Sequence, residues 1–145
     1  MRTDEIREIK ELIIGYNSEI HDPSVSSTEI VNKYFFKNVC EKSFKAYTRW
    51  LSKDRFNKNP TIRNLKVSNI RTITKEEYAP DEIEQEVYAN LSYEIKRDDM
   101  DWTEVHGNTM VLKINGRWYY ALLSDMKYEV MAYPRNFQLK YEYVW

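Results

Sequence analysis

Three residues that could carry acid–base chemistry lie in the second half of the chain: Tyr93, His106 and Asp125. An aspartate beside a histidine can orient the imidazole as a general base, and a tyrosine hydroxyl can donate a hydrogen bond to an oxyanion. These side chains can act together only if neighbouring strands place them on one face of a sheet. The elements that hold them therefore decide whether the chain has a candidate catalytic site.

The second half of the chain alternates apolar and polar residues, which predicts antiparallel strands. Asn115-Gly116 stands between two alternating runs and predicts a two-residue hairpin loop that pairs Ile114 with Arg117 and Leu112 with Tyr119. The expected strands are 62–74, 86–95, 102–114 and 117–124, followed by an extended region at 128–145 that Pro134 interrupts.

The register of these strands predicts which polar side chains meet. Counting back from the Asn115-Gly116 turn places His106 opposite Asp125. If residues 98–101 form the preceding loop, Tyr93 faces His106 and Leu91 faces Asn108. Neighbours across a strand pair approach within roughly 5 Å at Cβ, so these groups can touch. The predicted inner face is Val87, Ala89, Leu91, Tyr93, Met110, Leu112, Tyr119, Ala121 and Leu123, with the polar group at one end.

This polar group has two interpretations. It is a catalytic site in which His106 is the base, Asp125 orients it and Tyr93 is the donor. Alternatively it is a polar rim where the sheet leaves the core, with His106 satisfied by Asp125. We favour the rim, because a single histidine beside a single aspartate rarely marks catalysis. The predicted ligand-binding residues are Tyr16, Tyr93, His106, Asn108 and Asp125.

Helices are expected before the strands. Apolar residues at helical spacing predict a first helix from Thr3, as a possible cap, to about Pro23, and a short second helix after a cap at Ser27-Thr28-Glu29. A third helical stretch is expected at 41–53. Together these elements predict an α+β fold with N-terminal helices packed on a curved antiparallel sheet. The apolar face of the predicted first helix is Ile6, Ile9, Ile13, Tyr16 and Ile20.

This order of elements resembles the NTF2-like (cystatin-like) superfold. The residues that carry the resemblance are the long first helix, the stretch 86–93, and the run from Gly107 to Tyr119, which is similar to the penultimate hairpin of such domains. The resemblance implies helices that close a cone over the sheet. It also implies mixed functions, from SnoaL-like and ketosteroid-isomerase-like enzymes, which use a His, Asp or Tyr in the cone, to accessory domains without chemistry.

A second resemblance lies at the C-terminus. The segment Tyr133-Pro134-Arg135-Asn136-Phe137-Gln138-Leu139, followed by Tyr141, is similar to the closing segment of VirB8-like proteins of type IV secretion and conjugation systems. It departs from their usual Asn-Pro-x-Gly at the first residue and lacks the glycine. The resemblance implies an assembly scaffold.

Composition constrains partners and cofactors. The 145 residues fit one domain, 1–145, with a net charge of −1. Residues 33–75 hold 12 basic residues against two acidic ones, but the neutral total argues against a nucleic-acid partner. One cysteine, Cys40, and two histidines predict no metal cluster, and we expect no cofactor. No apolar run has membrane length, so the default location is cytoplasmic, unless a removed signal or anchor marks an exported domain.

Three functions follow. The first is a non-catalytic NTF2-like binding or assembly domain that engages a protein partner or small ligand and is dimeric, since Trp118, Tyr120 and Leu122 are expected on the face opposite the core. The second is a SnoaL-like isomerase, dehydratase or hydrolase that uses His106 and Asp125. The third is a nucleic-acid-binding accessory protein that uses the basic stretch.

Overall fold

A computed structural model describes residues 1–35, 58–74, 83–98, 100–121, 123–124 and 127–128. The predicted α+β class is confirmed, with two N-terminal helices and an open four-stranded antiparallel sheet. The predicted third helix at 41–53 and the C-terminal segment 129–145 lie outside the described residues. The elements are α1 (Thr3–Ile20), α2 (Ser27–Tyr34), β1 (Thr61–Ile73), β2 (Ile83–Lys96), β3 (Thr103–Ile114), β4 (Arg117–Ala121), β5 (Leu123–Ser124) and β6 (Lys127–Tyr128).

Helix α1 forms where the sequence predicts it. Its first turn carries Asp4 and Glu5, whose negative charges stabilise the helix by interacting with the positive end of its dipole. The N-cap residue is Arg2 rather than Thr3, which is already helical. The buried stripe is Ile9, Ile13, Tyr16, Asn17 and Ile20.

Helix α2 begins one residue after its capping side chain. The Glu29 backbone N–H donates a 3.1 Å hydrogen bond to Ser26 Oγ, which satisfies one of the free donors of the first turn. The prediction placed this cap at Ser27, one residue late. Ile30, Tyr34 and Phe35 then point inward and are buried, so α2 adds to the same core as α1.

The sheet is a meander in the order β1-β2-β3-β4, and β5 and β6 form a separate hairpin. Strand β1 lies at one edge of the sheet and carries two irregularities opposite β2, between Arg63 and Lys66 and between Ser68 and Arg71. Each irregularity contains an asparagine in the left-handed region, Asn64 at φ 56° and Asn69 at φ 51°. Bulges of this kind bend an edge strand and hinder pairing with other chains.

The predicted β3–β4 hairpin is confirmed. Ile114 pairs with Arg117 and Leu112 with Tyr119. The loop residues Asn115 and Gly116 both have positive φ, at 52° and 76°, as a type I′ turn requires. β4 ends at Ala121, however, and not at 124 as predicted, and the described pairs of β3 with β4 run only from Met110 to Ile114. Asp125, the predicted partner of His106, lies outside the described residues.

The predicted β2–β3 register is wrong by one residue. Tyr93 pairs with Val105, and His106 pairs with Ser92. The reason lies in the connecting turn, where the Arg97 carbonyl accepts a 2.8 Å hydrogen bond from the Met100 N–H. Arg97 therefore belongs to the turn and not to the ladder. One added loop residue moves every side chain of β3 to the other face relative to β2.

The corrected register gives the sheet two faces, each with buried residues. The face toward the helices, the helix face, includes Val87, Ala89, Val111 and Tyr120, with Trp118 partly buried against them. The predicted position of Trp118 and Tyr120 on the face away from the core is therefore wrong. The opposite face, the outer face, carries its own fully buried group at one end: Ile83, Glu86, Met110, Leu112 and Ile114.

Candidate interaction surface

The space between α1 and the helix face is filled by aromatic rings. Tyr16 of α1 stacks on Tyr120 of β4 with ring centroids 3.8 Å apart and an interplanar angle of 22°. Phe35 contacts both rings edge-on, at 5.9 Å from Tyr16 and 6.2 Å from Tyr120. Tyr34 adds a further edge contact to Tyr16 at 5.5 Å. These packed rings form the centre of the core between α1 and the sheet.

The hydroxyl groups of this aromatic cluster are held neutral. Burial raises the pKa of Tyr120 to about 12, although Thr109 Oγ1 donates a hydrogen bond to the phenol oxygen. Burial also raises the pKa of Tyr34, and the carboxylate of Glu19, to which this hydroxyl donates, raises it further. Both tyrosines are therefore hydrogen-bonding groups near neutral pH and not bases.

Tyr16, a predicted ligand-binding residue, lies inside this cluster and is only 2% exposed. Among the described residues its hydroxyl oxygen has no hydrogen-bond partner. An unsatisfied buried polar group costs about 1–3 kcal/mol, which the packing of the ring must offset. The ring is thus a core residue whose hydroxyl is enclosed.

The structure separates the other predicted site residues. Tyr93 lies on the helix face, and its ring centroid is 5.4 Å from that of His21 in α1's C-terminal flank. His106 and Asn108 lie on the outer face, opposite Ser92 and Asn90. Asp125 lies outside the described residues. The fold therefore places His106 and Asn108 on the outer face, and Tyr16 and Tyr93 on the helix side of the sheet.

Among the described residues, the acidic neighbour of His106 is Glu104. The His106 Nε2 lies 3.0 Å from Glu104 Oε1, and the two side chains are 67% and 71% exposed. Residues two apart on a strand share a face, so the Glu-x-His spacing could have predicted this pair from the sequence. An exposed pair of this kind contributes at most about 1 kcal/mol to stability. His106 is thus a surface group rather than part of an enclosed site.

A polar cluster on the outer face was not predicted. Arg63 Nε lies 2.6 Å from Glu94 Oε2, and Asn64 Nδ2 donates to the same oxygen at 2.8 Å. The Arg63 guanidinium also stacks over the ring of Trp102 at 3.9 Å. Arg63 and Asn64 together hold the pKa of Glu94 below its usual range. A cavity of about 160 Å³ opens beside this cluster, lined by Asn64, Lys66, Ser92, Tyr93, Glu94 and Glu104.

A larger surface cavity lies between the two helices. It measures about 460 Å³ and is lined by mixed charges from both helices. Lys33 Nζ lies 2.9 Å from Glu19 Oε1, and the second oxygen of Glu19 accepts from Tyr34. Glu19 therefore already serves to join α1 to α2. The lining residues are Glu19, Val25, Glu29, Asn32 and Lys33.

Within the described ranges, no group of three or more His, Cys, Asp or Glu side chains is placed to hold a metal ion. In the same part of the chain, neither helix combines the length and the apolar character needed to cross a membrane.

Comparison with known proteins finds no matching family model, no matching curated protein and no matching solved structure.

Proposed function

We propose that the chain is a non-catalytic binding or assembly domain of NTF2-like type that engages a protein partner through the surface of its sheet. The observation that carries this proposal is the stack of Tyr16 on Tyr120, closed by Phe35, in the space under α1. A domain that converts or carries a small molecule in its interior needs an enclosed volume of about 300–1,000 Å³. Among the described residues, the rings of Tyr16, Tyr120 and Phe35 pack against one another at that position.

The separation of the polar residues gives the proposal further support. An isomerase or hydrolase built on His106 needs Tyr93 within reach of the same substrate atoms. The two side chains leave opposite faces of adjacent strands, and His106 is 67% exposed. Nothing in this arrangement favours the SnoaL-like alternative.

The surface also offers features that a protein partner could use. The outer face presents Arg63 on Trp102, with Lys66 and the exposed Glu104–His106 pair nearby. Arginine and tryptophan are enriched among the residues that dominate binding energy at protein interfaces. Because Arg63 is compensated by Glu94, the cluster carries little excess positive charge, which disfavours nucleic acid as its partner.

Titration with small apolar ligands tests the filled interior. We expect benzene and indole to cause no saturable shift in the ring resonances of Tyr16, Tyr120 or Phe35, as followed by NMR of the aromatic side chains. The reason is that these rings already pack against one another, with centroids 3.8–6.2 Å apart. Saturable shifts in the rings of the wild-type protein would indicate a ligand pocket and would overturn the proposal.

A cavity-forming variant provides the positive control. Phe35→Ala removes a fully buried ring from the cluster and should create an apolar space that binds benzene, as engineered apolar cavities of about 150 Å³ do. Near-UV circular dichroism should first confirm that the variant is folded. If it is not, Ile9→Ala removes a smaller buried side chain from the same core.

A further inference from the structure

Strand β3 is longer than β4, the strand that pairs with it on one side. It spans Thr103–Ile114, but β4 pairs only with the part from Met110 to Ile114. Strand β5, which follows, pairs with β6 instead. β5 lies near β3 but does not pair with it, so among the described residues 103–109 pairs with β2 on one side and with no strand on the other.

The hairpin turn determines which backbone groups point to this free edge. In a two-residue hairpin the flanking residues, Ile114 and Arg117, exchange both backbone hydrogen bonds. Alternate residues of an antiparallel strand point the same way, so Glu104, His106 and Asn108 direct their N–H and C=O groups to the side of β4. No backbone hydrogen bond among the described residues engages these groups on that side, and all three residues are exposed.

We propose that this edge pairs with the same edge of a second copy of the chain, in an antiparallel dimer centred on Val105. Centring on Val105 places Glu104 opposite His106 of the partner subunit, and the two-fold axis repeats the pair. Within each copy, Glu104 and His106 already lie 3.0 Å apart. The two carboxylates and two imidazoles of the dimer would therefore form a square in which each carboxylate has an imidazole on both sides. The two outward-facing residues also exchange backbone hydrogen bonds across the axis.

The helix-face side of this edge is open at Gly107. Val105 would meet Val105 of the partner subunit, and Gly107 would lie opposite Thr103 of the partner subunit. No described heavy atom lies within 4 Å of the position that a Cβ on Gly107 would take. A register centred on His106 would instead place two imidazoles opposite each other. The contacts between the carboxylates and the imidazoles therefore favour the Val105-centred register.

The contact is short, so the dimer is transient. Edge pairing over 103–107 buries less than the roughly 1,200 Å² of specific, stable complexes. We expect dissociation constants of roughly ten micromolar to a millimolar. The dimer rests on the proposed assembly role, but the dimer can be disproved without disproving that role. A monomer whose interior takes no ligand would overturn the dimer and leave the proposed function standing.

Sedimentation equilibrium with charge variants tests the pairing. His106→Glu places acids opposite acids, and Glu104→Lys removes both carboxylates from the imidazoles that they face, so each should weaken association roughly tenfold. The double variant Glu104→Lys/His106→Glu again places opposite charges across the axis and should restore the wild-type constant. A monomer at all concentrations would overturn the proposal. So would a dimer whose constant none of these substitutions changes.

Disulfide trapping tests the register independently. Val105→Cys, in a Cys40→Ser background, should form an intermolecular disulfide, because directly opposed residues in an antiparallel pair bring their Cβ atoms to about 4.5–5.5 Å. Thr103→Cys in the same background is the matched control and should not crosslink with itself. Equal crosslinking of the two variants would contradict a dimer centred on Val105.

Discussion

Ile13→Ala is expected to lower the free energy of unfolding by about 2–5 kcal/mol, because it removes a fully buried side chain from the centre of the α1 stripe. Ile13 is 1% exposed and belongs to the cluster that joins α1 to Val111 and Tyr120. The helix cannot close over the lost volume without moving the rings beside it. Chemical denaturation monitored by circular dichroism measures the change.

The neighbouring residue provides a matched control. Ile14→Ala is the same substitution on the same helix, but Ile14 is 42% exposed. It should change the free energy of unfolding by less than about 1 kcal/mol, since alanine has the higher helix propensity and little packing is lost. Equal losses for the two variants would mean that α1 presents a different face to the sheet.

Leu112→Ala is expected to cost about 2–5 kcal/mol as well, and it tests the second buried group, on the outer face. Leu112 is 0% exposed and pairs with Tyr119 on one side and with Glu86 on the other. Because Val111 is buried on the helix face and Leu112 on the outer face, β3 has buried apolar side chains on both faces of the sheet. Urea denaturation measures the loss.

Leu65→Ala is the control for this substitution. Leu65 lies in the irregular part of β1 and is only half-buried, so the same change from leucine to alanine should cost clearly less. If Leu112→Ala cost no more than Leu65→Ala, the outer face would not be buried around Leu112.

Local chemistry explains which parts of the fold could be predicted. The apolar spacing of α1 and the Asn115-Gly116 turn each depend on residues close in sequence, and both predictions are confirmed. The NTF2-like cone, in contrast, stays a prediction, because the described strands form an open sheet. Its third predicted helix lies outside the described residues.

The β2–β3 register could not be predicted because the sequence does not distinguish the two faces there. Met110, Val111 and Leu112 are consecutive and all fully buried, so alternation cannot tell which of them faces the helices. A half-solvated strand would have shown a polar residue at every second position. The choice depends on one residue of loop length, set by the Met100 to Arg97 hydrogen bond.

The predicted catalytic site depended on the predicted β2–β3 register. With Tyr93 placed opposite His106, the sequence brought together groups that the structure separates. Contacts that depend on longer-range geometry, such as Arg63 with Trp102 and Glu94, had no short-range pattern that could predict them. The Glu104–His106 pair did have one, in its spacing of two.

Interstrand nuclear Overhauser effects between α-protons test the central claim most directly, namely that the sheet places Tyr93 and His106 on opposite faces. In an antiparallel ladder, the pairs that do not exchange backbone hydrogen bonds bring their Cα atoms to about 4.5 Å and give strong α-proton contacts. We predict such contacts between Ser92 and His106 and between Asn90 and Asn108. A strong contact between Tyr93 and His106 would place them on one face, reassemble the catalytic candidate and contradict the account.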